Sequence, residues 1–253
     1  MPKIDVLLHG SPLRTDVGIV GFCSVLLIEG QQRILVDVGH IGRRTALQNA
    51  LAQRGLTPED IDITVMTHAH WDHGQNFDLF QHAPMLIHPS ERIYAHKPHR
   101  NDWATPAWSG AMIDFQPHVV EVEEGYQIEP GVTVMHTPGH SPGSISLMVE
   151  TDDGMCSITG DVLHYATVAL TGKNPLVFWN EEQANKSIVR LVEASDLIYP
   201  GHDRPFHLVN GEIEYLATPK MTLHGLTRDD PNYTYDNSPR PIWIMPGIEE
   251  QKL

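Results

Sequence analysis

Cysteine is scarce: Cys23 and Cys156 are the only two among 253 residues. Two cysteines cannot build a disulfide framework, and both sit among apolar neighbours. Buried thiols in a reducing compartment are therefore expected, with the cytoplasm as the default. Long apolar runs are also missing. No stretch reaches the ~18 residues of a membrane-spanning helix, so no membrane association is expected. The opening MPKIDVLLHGSP has neither the charged start nor the long apolar stretch and small-residue cleavage site of a secretory signal. Basic side chains are outnumbered, 17 against 32 acidic, for a formal net charge of −15. Nucleic-acid binders usually carry a basic footprint, because phosphate contacts supply most non-specific affinity. Here Arg43, Arg44 and Arg54 fall on an expected helix as a solvated face, and nucleic acid is not the expected partner. No repeat of fixed period and no low-complexity tract interrupts the chain.

What is present is a good supply of core residues, 41% hydrophobic, and sixteen histidines. Strand patterns rich in β-branched and large apolar residues cover Ile4–Leu8, Gly21–Glu29, Arg33–Val38 and Ile61–Thr67. Further strands are expected at residues 85–88, Val119–Val122, Val132–His136, Ser144–Val149, Met155–Ile158 and Leu197–Tyr199. Gly30-Gln31-Gln32 reads as a hairpin turn. Ala46, Leu47, Ala50 and Leu51 share a helical face, Thr57-Pro58-Glu59-Asp60 opens a short turn, and Glu181–Ala194 is a second helix. This alternation predicts one layered α/β domain over residues 1–210. Residues 91–118 read as a polar insert without a clean period, over the site. Residues 211–253 read as an extension rich in proline and aromatics, reaching a neighbouring subunit of a homodimer.

The decisive segment is Thr67-His68-Ala69-His70-Trp71-Asp72-His73. Four potential ligands fall within six residues at the end of an apolar strand. In extended chain His68 and His70 share a face, and a turn into helix near Asp72-His73 aims those two at a second nearby position. That arrangement suits two metals a few ångströms apart. A polar turn with incidental histidines is the bland alternative. It fares badly, because these side chains compete for hydration and charge unless a cation holds them. Three more segments end a strand-like run in small residues and a ligand-type side chain: Gly139-His140, Gly160-Asp161 and Gly201-His202. Glycine there permits close backbone approach or positive φ.

With HxHxDH at 68–73, then GH at 139–140, GD at 160–161 and GH at 201–202, the chain resembles the metallo-β-lactamase superfamily from about residue 20 to 208. The resemblance implies a four-layer αββα sandwich with a metal site at one edge of its two sheets. It implies His68, His70 and His140 on a first metal, Asp72, His73 and His202 on a second, and Asp161 bridging both. Asp72 and the unbroken ligand set place the chain nearer the glyoxalase II and lactonase type than the β-lactam-cleaving enzymes. ILVDVG, TPGHSPGSISLMVE, FWNEEQANKS and YPGHDRPFHLV look most like a branch of the superfamily with human and bacterial members. Asp37, an ordinary turn acid on sequence alone, holds the superfamily position that orients a ligand histidine.

Imidazole and carboxylate ligands suit two Zn²⁺ and would accept Fe or Mn. Water held by such cations ionises at a pH of about 7. The expected reaction is attack of a metal-bridging hydroxide on a small-molecule acyl carbon: lactone, ester, thioester or β-lactam. N-acyl-homoserine lactonases place tyrosine three residues after the bridging aspartate. Here His164 stands there with Tyr165 next, and either could be the acid or the oxyanion donor. Trp103, Trp108, His99, Phe178 and Trp179 are candidates for substrate contact. His88, His96, His118, His207 and His224 have no motif around them and read as structural or surface residues. The alternative reading is a phosphodiesterase or ribonuclease on the same two-metal site, as a human member of the branch is associated with RNA cleavage. Net charge and the lack of an inserted nuclease domain weigh against it. A third class is a redox or catalytically silent member. It lacks a flavin partner domain in the first case and sits badly with the full ligand set in the second.

Overall fold

The computed structural model describes residues 1–16, 18–218, 220, 222, 236, 238, 241–251 and 253. His224 and most of the expected extension's middle lie outside them. The run Val25–Glu29 (VLLIE) shows how the layers arise. Val25 and Leu27 point to one face and Leu26 and Ile28 to the other, and all four are buried. Both faces of this strand are therefore covered, and the chain builds a layer on each side.

The first sheet runs, in spatial order, Lys3–Leu8, Val25–Glu29, Arg33–Val36, Ile63–Val65, Met85–Ile87 and Val119–Glu121. Its first three strands pair antiparallel and its last four parallel. The second sheet runs Glu212–Tyr215, Phe206–Val209, Leu197–Tyr199, Gly154–Ile158, Ile145–Thr151, Val132–His136 and Gln127–Glu129. Only Gly154–Ile158 and Leu197–Tyr199 pair parallel in it. Between the sheets lies one apolar cluster, with Leu26, Ile34, Val36 and Val65 from the first and Val134, Leu147, Val149 and Ile158 from the second. Outside the first sheet, Leu27, Leu35 and Met85 pack on Leu47 and Leu51 of helix α1 (Arg44–Ala52) and on Phe77 and Phe80. Outside the second, Ile198 and Phe206 pack on Ile188 and Leu191 of the helix Glu181–Ala194. Helix, sheet, sheet, helix: the fold is the expected αββα sandwich.

Local signals explain most element boundaries. Asn180 accepts a hydrogen bond from Gln183 N at 2.9 Å, and Glu181 and Glu182 sit in the first turn, favoured by the helix dipole. Thr57 and Asp60 form a capping box on a single 3₁₀ turn. The 91–118 segment departs from expectation, since helices Pro89–His96 and Ser109–Asp114 occupy much of it. Helices of eight and six residues are too short to show a period in the sequence. The C-terminal segment departs as well. Trp243–Ile244 pairs in parallel with Leu176–Val177 of its own chain, so its described end packs on this chain's own site-bearing domain. No helix among the described residues is long and apolar enough to cross a membrane.

Leu147 is fully buried between the sheets. Leu147→Ala should destabilise the fold by about 2–5 kcal/mol, because the two sheets cannot collapse into the cavity it leaves. Urea unfolding followed by circular dichroism reads this as a lower midpoint at unchanged slope.

Candidate metal centre

The strands Arg33–Val36, Ile63–Val65, Val132–His136, Gly154–Ile158 and Leu197–Tyr199 run in directions that bring their carboxyl ends to one edge of the sandwich. From those ends follow Asp37, the segment His68–His73, His140, Asp161 and His202. Ile145 N donates to Thr67 O at 3.0 Å and Ser24 N to Gly201 O at 2.6 Å, joining the two sheets at this edge. Two glycines make the approach possible. Gly139 has φ +132°, and a Cβ there would lie 2.0 Å from Ala184 N; a Cβ on Gly201 would lie 2.2 Å from Asp161 Oδ1. Only glycine fits either position.

All seven residues of the expected ligand set come together. One donor atom from each of His68, His70, His140 and Asp161 lies within 4.8 Å of the others, and so do donors of His73, Asp161 and His202. Asp72 joins the second group, with Oδ2 3.3 Å from His202 Nε2 and Oδ1 3.8 Å from His73 Nε2. Asp161 belongs to both, 3.3 Å from His73 Nε2, 3.2 Å from His202 Nε2 and 3.7 Å from His140 Nε2.

Outer hydrogen bonds aim the rings. His68 Nδ1 lies 3.1 Å from Thr67 Oγ1, and His140 Nδ1 lies 2.7 Å from the Leu176 carbonyl. His202 Nδ1 lies 3.4 Å from the Ser11 carbonyl. His73 Nδ1 lies 2.7 Å from Asp37 Oδ2, and Asp37 also accepts from Thr67 N at 2.9 Å and Thr67 Oγ1 at 2.8 Å. Asp37 holds φ +54° to do this, a backbone conformation most side chains avoid. Each ring is left with its other nitrogen facing inward, and Nε2 of His68 and of His73 is buried without a hydrogen-bond partner. His70 Nδ1 and His140 Nε2 face each other at 3.0 Å.

Charge follows the same plan. Burial, helped by neighbouring imidazoles, holds His68 and His140 well below the ordinary imidazole range. Burial also pulls His70 down to about 3. At His73 burial is outweighed by Asp161, Asp37 and Asp72, and the ring is raised. Burial works against the ionised form of Asp161, but His164, His202 and His73 hold its carboxyl well below the usual range. Neutral imidazoles at His68, His70 and His140 beside the ionised Asp161 suit a divalent cation. At His73 and His202, both raised by neighbouring carboxylates, a bound cation would displace a proton.

The cluster opens into a cavity of about 490 Å³ whose lining includes His164 and Tyr165. His164 is buried with Nε2 3.1 Å from Asp161 Oδ2, and Tyr165 precedes the helix Ala166–Thr171. Trp103 and Phe178 line the cavity, but three other expected contacts do not. Trp108 faces a separate surface groove with Phe115, and Trp179 packs on Tyr94 at 5.9 Å. His99 turns to Glu250, 3.8 Å away. Each was expected only from its place in the insert or beside Phe178, and the two helices there turn these side chains elsewhere. Sequence reasoning missed Glu91, Cys23 and Trp243. Glu91 is fully buried and accepts from Ala69 N at 2.7 Å, Ser141 Oγ at 2.7 Å and Gly143 N at 2.9 Å. Cys23 donates to Asp72 O at 3.1 Å, and burial pushes its thiol up to about 11, so it stays protonated. A lone acid on a helix and a lone cysteine carry no signal that could have found them.

The sequence model of the metallo-beta-lactamase superfamily matches residues 18–202. The chain is 31% identical over 197 residues to metallo-beta-lactamase domain-containing protein 1 of Xenopus laevis, covering 77% of each. It is also 31% identical over 166 residues to an N-acyl homoserine lactonase of Bacillus thuringiensis, spanning 61% of that protein and 61% of this one. Among solved structures, an N-acyl homoserine lactone hydrolase with N-hexanoyl-L-homoserine at its catalytic metal centre superposes with a TM-score of 0.60 at 25% identity. That superposition covers 77% of this chain and 86% of the other.

Asp37→Asn keeps a residue that tolerates the left-handed backbone but removes the charge behind His73. It should weaken zinc binding roughly 10–100-fold, the usual cost of losing such a partner. Competition with a chromophoric chelator measures this, and unchanged affinity would remove the orienting role.

Proposed function

The chain belongs to the metallo-beta-lactamase superfamily, and on that footing we propose that it is a metal-dependent hydrolase of a small-molecule acyl bond. Lactones, esters, thioesters and β-lactams are the candidate class. The observation that carries the reading is the convergence of five imidazoles and two carboxylates, in two groups sharing Asp161, on one cavity. In this reading His68, His70 and His140 hold one cation, Asp72, His73 and His202 a second, and Asp161 both. Nitrogen and oxygen donors without thiolate favour zinc, with iron or manganese as accepted substitutes. Divalent cations bound there supply Lewis acidity and ionise water near neutral pH.

The chain's own residues do the rest. Asp161, kept ionised, holds the two groups in register. Leu176, Thr67, Asp37 and Ser11 fix the ring orientations, so the inward nitrogens need no reorganisation when substrate arrives. His164, beside Asp161, and Tyr165 at the cavity wall are the two candidates for handing a proton to the leaving group.

A panel of γ-lactone, thioester, nitrocefin and bis-p-nitrophenyl phosphate, run on zinc-loaded protein, checks the class. At least one acyl substrate should turn over and the phosphodiester should lag behind it; the reverse order would replace this reading with phosphodiester hydrolysis. Asp161→Ala should lower bound metal and turnover together, turnover by roughly 100-fold or more. Full turnover in a metal-depleted Asp161→Ala protein would remove the bridging role.

A further inference from the structure

Part of the cavity wall comes from a segment outside residues 18–202, which the superfamily model matches. Pro241 and Trp243 line the cavity beside Trp103, Leu176 and Phe178. The segment is tied down along its length. Trp243 N donates to Pro175 O and Met245 N to Val177 O, each at 2.9 Å. Asn101 Nδ2 donates to Pro246 O at 2.7 Å, Gln251 Nε2 to Phe178 O at 2.6 Å, and Met245 is buried.

These bonds bring three rings together. Phe178 and Trp243 lie 4.8 Å apart at 55°, Trp103 and Phe178 5.2 Å apart at 68°, and Trp103 and Trp243 6.0 Å apart at 62°. Phe178 in turn lies 4.7 Å from His70, edge-on. The receptor therefore adjoins the first group of donors. Trp103 is 50% exposed and Trp243 partly so, leaving ring surface for a ligand, while Phe178, at 1%, is buried and backs the two indoles. Rings inclined at such angles present faces and edges to a fourth ring, the arrangement aromatic pairs prefer, worth more than area burial alone. An alkyl chain gains only the area.

We propose that Trp243, delivered by the C-terminal segment Pro241–Gln251, determines specificity at this site, forming with Trp103 and Phe178 a receptor for an uncharged aryl group on the substrate. The inference rests on the acyl-hydrolase reading for its reaction but not for its binding.

The test uses zinc-loaded full-length protein and two readouts. The first is turnover of acetyl, hexanoyl and phenylacetyl thioesters of one small thiol. The second is quenching of tryptophan fluorescence by phenylacetate against hexanoate and acetate. Phenylacetyl should be preferred over both others. Trp243→Leu, which keeps apolar bulk without the ring, should lower that preference about tenfold, with the loss in KM and bound zinc unchanged. Trp243→Phe should recover part of it. Phenylacetate binding that depends on Trp243 without any thioester turnover would support the receptor and remove thioesters from the candidate class. Turnover with no aryl preference, or a preference that Trp243→Leu leaves intact, would overturn the receptor and leave the hydrolase reading standing.

Discussion

An imidazole taken out of water has two ring nitrogens to satisfy, and the chain satisfies only one on His68 and His73. Thr67 and Asp37 take the outer nitrogens, while both Nε2 atoms stay buried without hydrogen-bond partners. A buried polar atom left alone costs about 1–3 kcal/mol, and here the inward atoms crowd together around one ionised carboxylate. Packing cannot relieve them, because the strands and glycines that bring them close also shut out other partners. A divalent cation satisfies the lone pairs and balances the carboxylates at once.

The donor cluster needs the two sheets held in register, because the His68–His73 segment leaves one and His140, Asp161 and His202 leave the other. Glu91 is the internal brace. Its buried carboxyl, pushed up to about 6 by burial, accepts from Ala69 between two of the histidines and from Ser141 and Gly143 just after His140. Ser24 does the same for the opposite side, accepting from Gly10 N and donating to the Pro200 carbonyl ahead of His202. The rings are thus positioned by groups that never face the cavity, which is why a change behind the site can act on it.

Much of this was legible. Ligand-type residues behind strands gave the donor set, because His68, His70, Asp72 and His73 stand too close together to be hydrated separately once the strand before them is buried. The helix at Glu181–Ala194 and the strand Leu197–Tyr199 follow their sequence patterns to the residue. Legibility failed where the signal is not a side-chain pattern. Leu176 and Ser11 act through backbone carbonyls, which every residue has. The helices Pro89–His96 and Ser109–Asp114 are too short to declare a period, so Trp108, His99 and Trp179 could not be sorted from Trp103 and Phe178. Trp243 meets Leu176 across 67 positions of chain, through a strand pair of two residues each, and no local pattern encodes so distant a partner.

The donors and the rest of the cavity wall therefore come from different parts of the molecule. The donors sit at the shared edge of two sheets, where register leaves little freedom, and they would serve any electrophile presented to them. What is presented depends on the cavity mouth, built from residues 11–14, Trp103, Leu176–Phe178 and the C-terminal segment. Its lining among the described residues is mostly apolar, with Arg14 the basic side chain they contribute besides the histidines. A phosphodiester backbone would meet Asp72, Asp161 and aromatic rings there with little cationic compensation, in a chain already at −15. An uncharged acyl compound loses no comparable solvation on entry. The apolar part of the wall around the donors gives an entering polyanion little to replace the hydration it would lose.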